Sequence, residues 1–322
     1  QAEDGIRDVE RSRGLGDVYK RQHIKLSETK LLSLYPKHYS LVLTAVYPIQ
    51  AYDRELHNLS ILCPYREIIN QLMYYEGAVR RNSEYVEKIT SYKEYEKVKE
   101  KGKTAFLYYV EGLYGLYTIS DLEALYNLGV RGFTLAWSLG NNLASGCGDK
   151  RDFGLTDLGE KVIEFALENN MLIDIAHLGE KAALDIFELA DRNVFASHVG
   201  VKALTPIARN VSDEVISEIV DRKGVIGLIY FKKFLKTEKC KDNGLECFYE
   251  HLRYIIDNYG YEYVAIGSDF YGILPHMTIY SESNEADDVA KVLEYLKERL
   301  SKKELEHLAY KNFEAFLKRS LK

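Results

Sequence analysis

Four side chains suited to metal ligation or proton transfer stand at or near the ends of apolar, strand-like runs, and an arginine accompanies them. His177 closes MLIDIAH, and His198 closes NVFASH 21 residues later. Glu111 closes AFLYYVE, Asp269 falls near the end of EYVAIGSDF, and Arg209 sits in ARNVSDE. A single strand-end histidine is most simply a packed core residue, because neutral imidazole is readily buried. Two histidines, a glutamate and an aspartate at the same phase of successive units outweigh that interpretation. Imidazole and carboxylate together suit Zn²⁺, and a carboxylate can bridge two neighbouring ions. Asp269 has the chemistry to shuttle a proton between water and a leaving amine, or else to cap the next segment. Arg209 has the planar fork to clamp a carboxylate, with a surface ion pair as its equal alternative.

Strand ends that converge on one chemistry are the mark of a (β/α) barrel. From residue 23 onward β-rich runs alternate with helical stretches. Strands are expected over residues 39–49, 104–111, 131–135, 172–177, 194–198, 225–230 and 263–269. Helices are expected over 65–81, 83–101, 180–189, 213–222, 246–258, 285–300 and 301–319. Two more open at Ser120 and at an N-cap Thr156, and Ser301 with Glu304 has capping-box spacing. Gly112, after Glu111, would let the backbone turn sharply over a barrel mouth. Seven strands rather than eight lead to an α/β fold class: a (β/α)8 TIM-type barrel of the metal-dependent hydrolase kind, lacking its first strand.

Composition narrows the function. Hydrophobic residues make up 46% of the chain, ample for one core, and the net charge of −6 comes without a basic stripe. A nucleic-acid surface is therefore not expected. No run approaches the ~20 apolar residues of a membrane span. Cys63, Cys147, Cys240 and Cys247 lack CxxC spacing, so four free thiols in a reducing, cytoplasmic setting are expected. Residues 1–22, QAEDGIRDVERSRGLGDVYKRQ, resemble a translated sequencing adaptor and carry no apolar period. They are expected to be non-native, leaving residues 23–322 as a single, N-terminally truncated barrel domain.

DIAH, ASH, RNVSDE and GSDF, in this order and spacing, resemble the membrane (renal) dipeptidase family of zinc peptidases. There the pattern reads DxSH or DxAH, SH, RNxxD and GSDFDG. VEG, GVRGFTLAW…NNLASG, GLTDLG and the C-terminal KNF add to the resemblance. It covers essentially everything from about residue 100 onward and, more loosely, residues 23–99. It implies two zinc ions bridged by Glu111, with His177 and His198 on the second. It also implies that Arg209 holds the substrate carboxylate and that Asp269 handles the proton. Trp137 stands where mammalian members have a substrate-contacting histidine, which places it in the substrate site. Tyr271 replaces the second aspartate of GSDFDG. The His-x-Asp pair that ligates the family's first ion occurs nowhere in this sequence, and its expected place is just upstream of His23.

The function expected is that of a bacterial-type metallo-dipeptidase, hydrolysing the amide bond of a dipeptide by metal-activated water. Two alternatives remain: a metal-dependent amidohydrolase acting on another small amide or lactam, and an inactive barrel serving as a binding protein. A homodimer is left open. Without His-x-Asp, this chain is expected to hold at most one metal ion and to hydrolyse dipeptides poorly.

Overall fold

The computed structural model describes residues 39–48, 63–240, 243–269, 279 and 288–322; the expectations for residues 1–22 and Tyr271 lie outside these. Among the described residues, β1 (Leu41–Val46) is followed by α1 (Pro64–Arg81), β2 (Val86–Ile89), α2 (Tyr92–Glu100) and β3 (Thr104–Glu111). Next come α3 (Ile119–Asn127), β4 (Gly132–Thr134), α4 (Asp157–Glu168), β5 (Leu172–Asp174), α5 (Glu180–Leu189) and β6 (Val194–Val199). Then follow α6 (Asp213–Asp221), β7 (Ile226–Ile229), α7 (Lys232–Leu235), α8 (Gly244–Tyr259) and β8 (Val264–Gly267). The chain finishes with α9 (Asp288–Lys297), α10 (Lys302–Glu306), a π-helical turn at His307–Lys311, and α11 (Asn312–Ser320).

All ladders are parallel, in the order β1-β3-β4-β5-β6-β7-β8. β2 pairs with the first half of β3, from Val86↔Thr104 to Ile89↔Leu107. Among the described residues no ladder joins β8 to β1, so the sheet is a curled, barrel-type half-shell with helices outside. Continuous apolar strands suit such a sheet, covered on both faces.

β3 shows how the pleat sorts side chains. Phe106, Tyr108 and Val110 pack with helix residues such as Leu72 and Leu122. Ala105, Leu107 and Tyr109 face the other way, into a cluster with Leu172, Phe195, Ala265, Phe316 and Leu317. Side chains from β3, β5, β6 and β8 thus meet α11 inside the curl. A strand alternates with period two, so Glu111 inherits the inner face from Tyr109.

Several expectations are corrected. Residues 83–101 are not one helix: Val86–Ile89 is a strand, and α2 starts after Ser91, whose hydroxyl accepts the Glu94 N–H at 3.3 Å. Glu and Lys favour a helix locally, but fully buried Val86 and Ile89 gain more from pairing with β3. α3 is capped by Thr118, not Ser120: Asp121 accepts the Thr118 N–H at 2.8 Å. The Thr156 cap and the Ser301–Glu304 capping box form as expected. Cys240 and Cys247 are joined by a disulfide, their Cα atoms 5.2 Å apart, while Cys63 and Cys147 are free. The first turns of α8 bring Cys247 back beside the segment that precedes the helix, so two of the four cysteines are not free thiols and the set gives no ground for a reducing compartment. Among the described residues, no helix is long and apolar enough to cross a membrane.

Candidate metal centre

Glu111 reaches the site by strand parity, but the two histidines do not. On β5 the inner positions are Leu172 and Asp174, and on β6 they are Phe195 and Ser197. His177 and His198 have the opposite parity. The ladder of β5 ends at Asp174, and His177 turns inward through a left-handed backbone, φ +70°. On β6 the register with β7 shifts between Ala196 and Val199, and this irregularity re-aims His198. Gly112 has φ +94°, and a Cβ there would lie 2.6 Å from the Tyr114 ring, so the turn after Glu111 requires glycine.

The result is a compact set of ligands. Glu111 Oε1 lies 3.0 Å from His177 Nε2 and 3.5 Å from His198 Nε2. The two Nε2 atoms are 2.9 Å apart. All three residues are buried, and their ligand atoms fall within 4.8 Å of one another. Tetrahedral Zn²⁺ with bonds of 2.0–2.1 Å spaces its ligands about 3.3 Å apart, so one carboxylate and two imidazoles here fit a divalent ion with little adjustment. Each imidazole is held by its other nitrogen: His177 Nδ1 lies 3.0 Å from Ser138 Oγ, and His198 Nδ1 lies 2.7 Å from Ser197 Oγ.

Electrostatics favour the same use. Burial, and then the Arg209 cation, hold both imidazoles well below the ordinary histidine value. They are therefore neutral, as metal ligation requires. Burial and the neighbouring Asp269 push the Glu111 carboxyl well up, while Arg209 and a hydrogen bond from Trp137 oppose that shift. Asp269, also in a left-handed conformation, is pushed up to about 6 by burial against the pull of Arg209.

Arg209 is buried, and its Nη2 donates to the His198 carbonyl at 2.9 Å. Its Nε and Nη1 meet no hydrogen-bond acceptor among the described residues. A buried guanidinium with donors unused is suited to an anionic ligand group. Trp137 is half-buried, stacks on the His177 ring with centroids 4.9 Å apart, and meets the Tyr47 ring with centroids 5.2 Å apart. The Tyr114 hydroxyl accepts the Trp137 N–H at 2.7 Å and fixes that loop. Contacts thus gather Glu111, His177, His198, Arg209 and Trp137 around one centre, and Asp269 is near enough to help raise the Glu111 carboxyl.

The sequence pointed less clearly to the residues behind them. Asp174, Ser197, Ser138 and Tyr109 hold the imidazoles or their strands, and Asn210 bridges Gly200 N–H to the Phe234 carbonyl to shape the Arg209 loop. Asp174, Ser197 and Asn210 lie inside DIAH, ASH and RNVSDE. The signal was present there, but only the histidines and the arginine had an obvious chemical role.

Residues 16–319 match the family described as Membrane dipeptidase (Peptidase family M19). An uncharacterized protein in the pqqA 5' region of Klebsiella pneumoniae is 32% identical over 187 residues, covering 55% of this chain and 69% of that protein. Dipeptidase tcpJ of Claviceps purpurea (strain 20.1) is 30% identical over 179 residues. That match takes in 55% of this chain but 42% of tcpJ, so the chain spans less than half of this relative. A metallo peptidase from Rhodobacter sphaeroides, solved with a phosphinate mimic of the dipeptide L-Ala-D-Ala, has a TM-score of 0.77 at 20% identity. The likeness covers 93% of this chain and 92% of that one, and it shows a common fold. With the family match running through nearly all the described residues, this chain belongs to the membrane dipeptidase family, a family of metallopeptidases that act on peptide bonds.

Proposed function

We propose that this chain is a dipeptidase whose Glu111, His177 and His198 hold a Zn²⁺ ion. The observation that carries the reading is the convergence of those three ligand atoms within 4.8 Å in a buried pocket where both imidazoles are kept neutral. When bound, the ion supplies Lewis acidity and a water activated near neutral pH. Arg209 binds the free carboxylate of the dipeptide with its unused Nε and Nη1 donors. Asp269, at about 6, is poised to take a proton from water and return it to the leaving amine. Trp137 forms the aromatic wall over His177, against which a substrate side chain packs. The sequence contains no His-x-Asp, so one ion per chain is expected from the ligands present.

The test is hydrolysis of a panel of dipeptides, their C-terminal amides, and small lactams by the zinc-loaded chain. Chelator-sensitive cleavage of dipeptides in preference to their amides, slow because His-x-Asp is absent, supports the reading. Cleavage of lactams alone moves the substrate to another amide, and metal-independent cleavage removes the reading altogether.

A further inference from the structure

Behind His198 a chain of hydrogen bonds runs from Asp174 through Ser197 to the imidazole. Asp174 ends β5 and is fully buried. Its Oδ1 accepts the backbone N–H groups of Ala176 and Ser197, each at 2.9 Å. Its Oδ2 accepts the Tyr109 hydroxyl at 2.5 Å and the Ser197 hydroxyl. Burial pushes the carboxyl up, and the hydrogen bonds from Ser197, Tyr109 and the two backbone groups oppose that shift. With two backbone N–H groups on Oδ1 and two hydroxyls on Oδ2, Asp174 is the acceptor of this set, so the single hydroxyl proton of Ser197 points to it. Ser197 Oγ also lies 2.7 Å from His198 Nδ1. Having committed its proton, it can only accept there, and Nδ1 must be the protonated nitrogen. The lone pair of His198 is then on Nε2, the atom that faces Glu111 and His177.

We propose that Asp174, held by Tyr109 and acting through Ser197, is a positioning residue that fixes the Nδ1–H tautomer of His198 and thereby makes Nε2 a metal ligand. The ligand role rests on the metal reading given above; the tautomer does not. The two histidines are not equivalent in this respect. His177 Nδ1 meets Ser138, whose hydroxyl is shared with the Cys147 thiol rather than a carboxylate. That hydroxyl can turn either way, so His177 adapts while His198 is preset. Partners of this kind behind a metal-bound imidazole typically change metal affinity ten- to a hundredfold.

The experiment is nitrogen-15 NMR of the histidine-labelled, metal-free full chain, with His198 assigned by its loss in His198→Gln, followed by titration with Zn²⁺. The wild type should show His198 protonated at Nδ1. In Asp174→Asn the amide oxygen must still face the two backbone N–H groups, so its NH₂ faces the hydroxyls. Ser197 then donates to Nδ1, and the Nε2–H form should appear, with Zn²⁺ bound roughly ten- to a hundredfold more weakly. Ser197→Ala should weaken Zn²⁺ binding as well, Ser197→Thr should retain it, and the Asp174→Asn/Ser197→Ala pair should be no worse than the worse single change. A wild-type His198 protonated at Nε2 overturns the proposal without any variant having to fold. So does an Asp174→Asn protein that melts lower yet keeps both tautomer and affinity. If the wild type binds no Zn²⁺ while His198 is protonated at Nδ1, the metal reading fails and the relay stands.

Discussion

The Nε2 atoms of His177 and His198 lie 2.9 Å apart, although the pleat of neither strand points its histidine inward. A left-handed residue at His177 and a register shift around His198 create this approach. Backbone of that kind costs about 1–3 kcal/mol where a non-glycine residue adopts it. It is retained where the surrounding structure serves a site.

The same site should weaken the metal-free fold. Burial raises the Glu111 carboxyl well above its ordinary value, so its ionised form is disfavoured in the folded chain. A raised folded value means that this penalty is absent in acid and present above the unfolded value of about 4.3. Glu111→Gln should therefore melt at or above the wild-type temperature in metal-free buffer near neutral pH, yet gain nothing from added Zn²⁺. A drop of several degrees in calorimetry would show that the carboxylate holds the fold together instead.

Arg209 should act on the ligand. Lysine keeps the charge but not the planar fork, and hydrogen bonds to charged groups contribute about 1.5–3 kcal/mol. Arg209→Lys should weaken binding of a dipeptide roughly ten- to a hundredfold and bind its C-terminal amide as the wild type does. Calorimetric titration with both ligands checks this. Equal losses for dipeptide and amide, or a lower melting temperature with unchanged binding, would make Arg209 structural.

The apolar run FLYYV leading into Glu111 was legible in the sequence, but it is apolar at every position, so which of its side chains face inward is set by the fold. The histidines were legible as motif residues, but not the backbone devices that aim them, since nothing in LIDIAH announces a left-handed His177. Val86–Ile89 was hidden because its central Glu87 and Lys88 look helical, and only the neighbouring β3 makes them a strand. The bond between Cys240 and Cys247 depends on the start of α8, which the spacing alone did not reveal.

His251 should carry part of the acid sensitivity. Its Nδ1 accepts the Val201 N–H at 2.9 Å, and its Nε2 faces the Leu235 carbonyl at 3.1 Å. Burial pulls the ring down to about 4. Between that value and the unfolded value of about 6.5, the unfolded chain binds a proton that the folded chain does not. Its contribution is complete above about pH 6.5 and is lost as pH falls toward 4, by about 3 kcal/mol in all. His251→Gln keeps one acceptor and one donor, so it should flatten the decline in melting temperature across that interval. Taking the difference from wild type at each pH removes the opposite contribution of Asp269, raised to about 6. An unchanged slope would contradict the assignment.

Gly227 and Gly267 should tolerate no side chain. A Cβ on either would lie 1.9 or 2.2 Å from the Ser197 carbonyl oxygen, which is backbone and cannot swing aside. Gly227→Ala should cost about 1–3 kcal/mol or more, and it should weaken Zn²⁺ binding by displacing Ser197 and His198. Urea unfolding with a parallel Zn²⁺ titration checks both, and wild-type values in both would contradict the packing argument.

The most direct measurement of the central claim is metal content. The full chain should be loaded with excess Zn²⁺, dialysed against metal-free buffer, and analysed by mass spectrometry beside His177→Ala and His198→Ala. One tightly held ion per wild-type chain is expected and almost none in either variant, with all three proteins folded by circular dichroism. A wild type that retains no ion, or variants that retain as much as the wild type, would contradict the assignment of Glu111, His177 and His198 as a metal site.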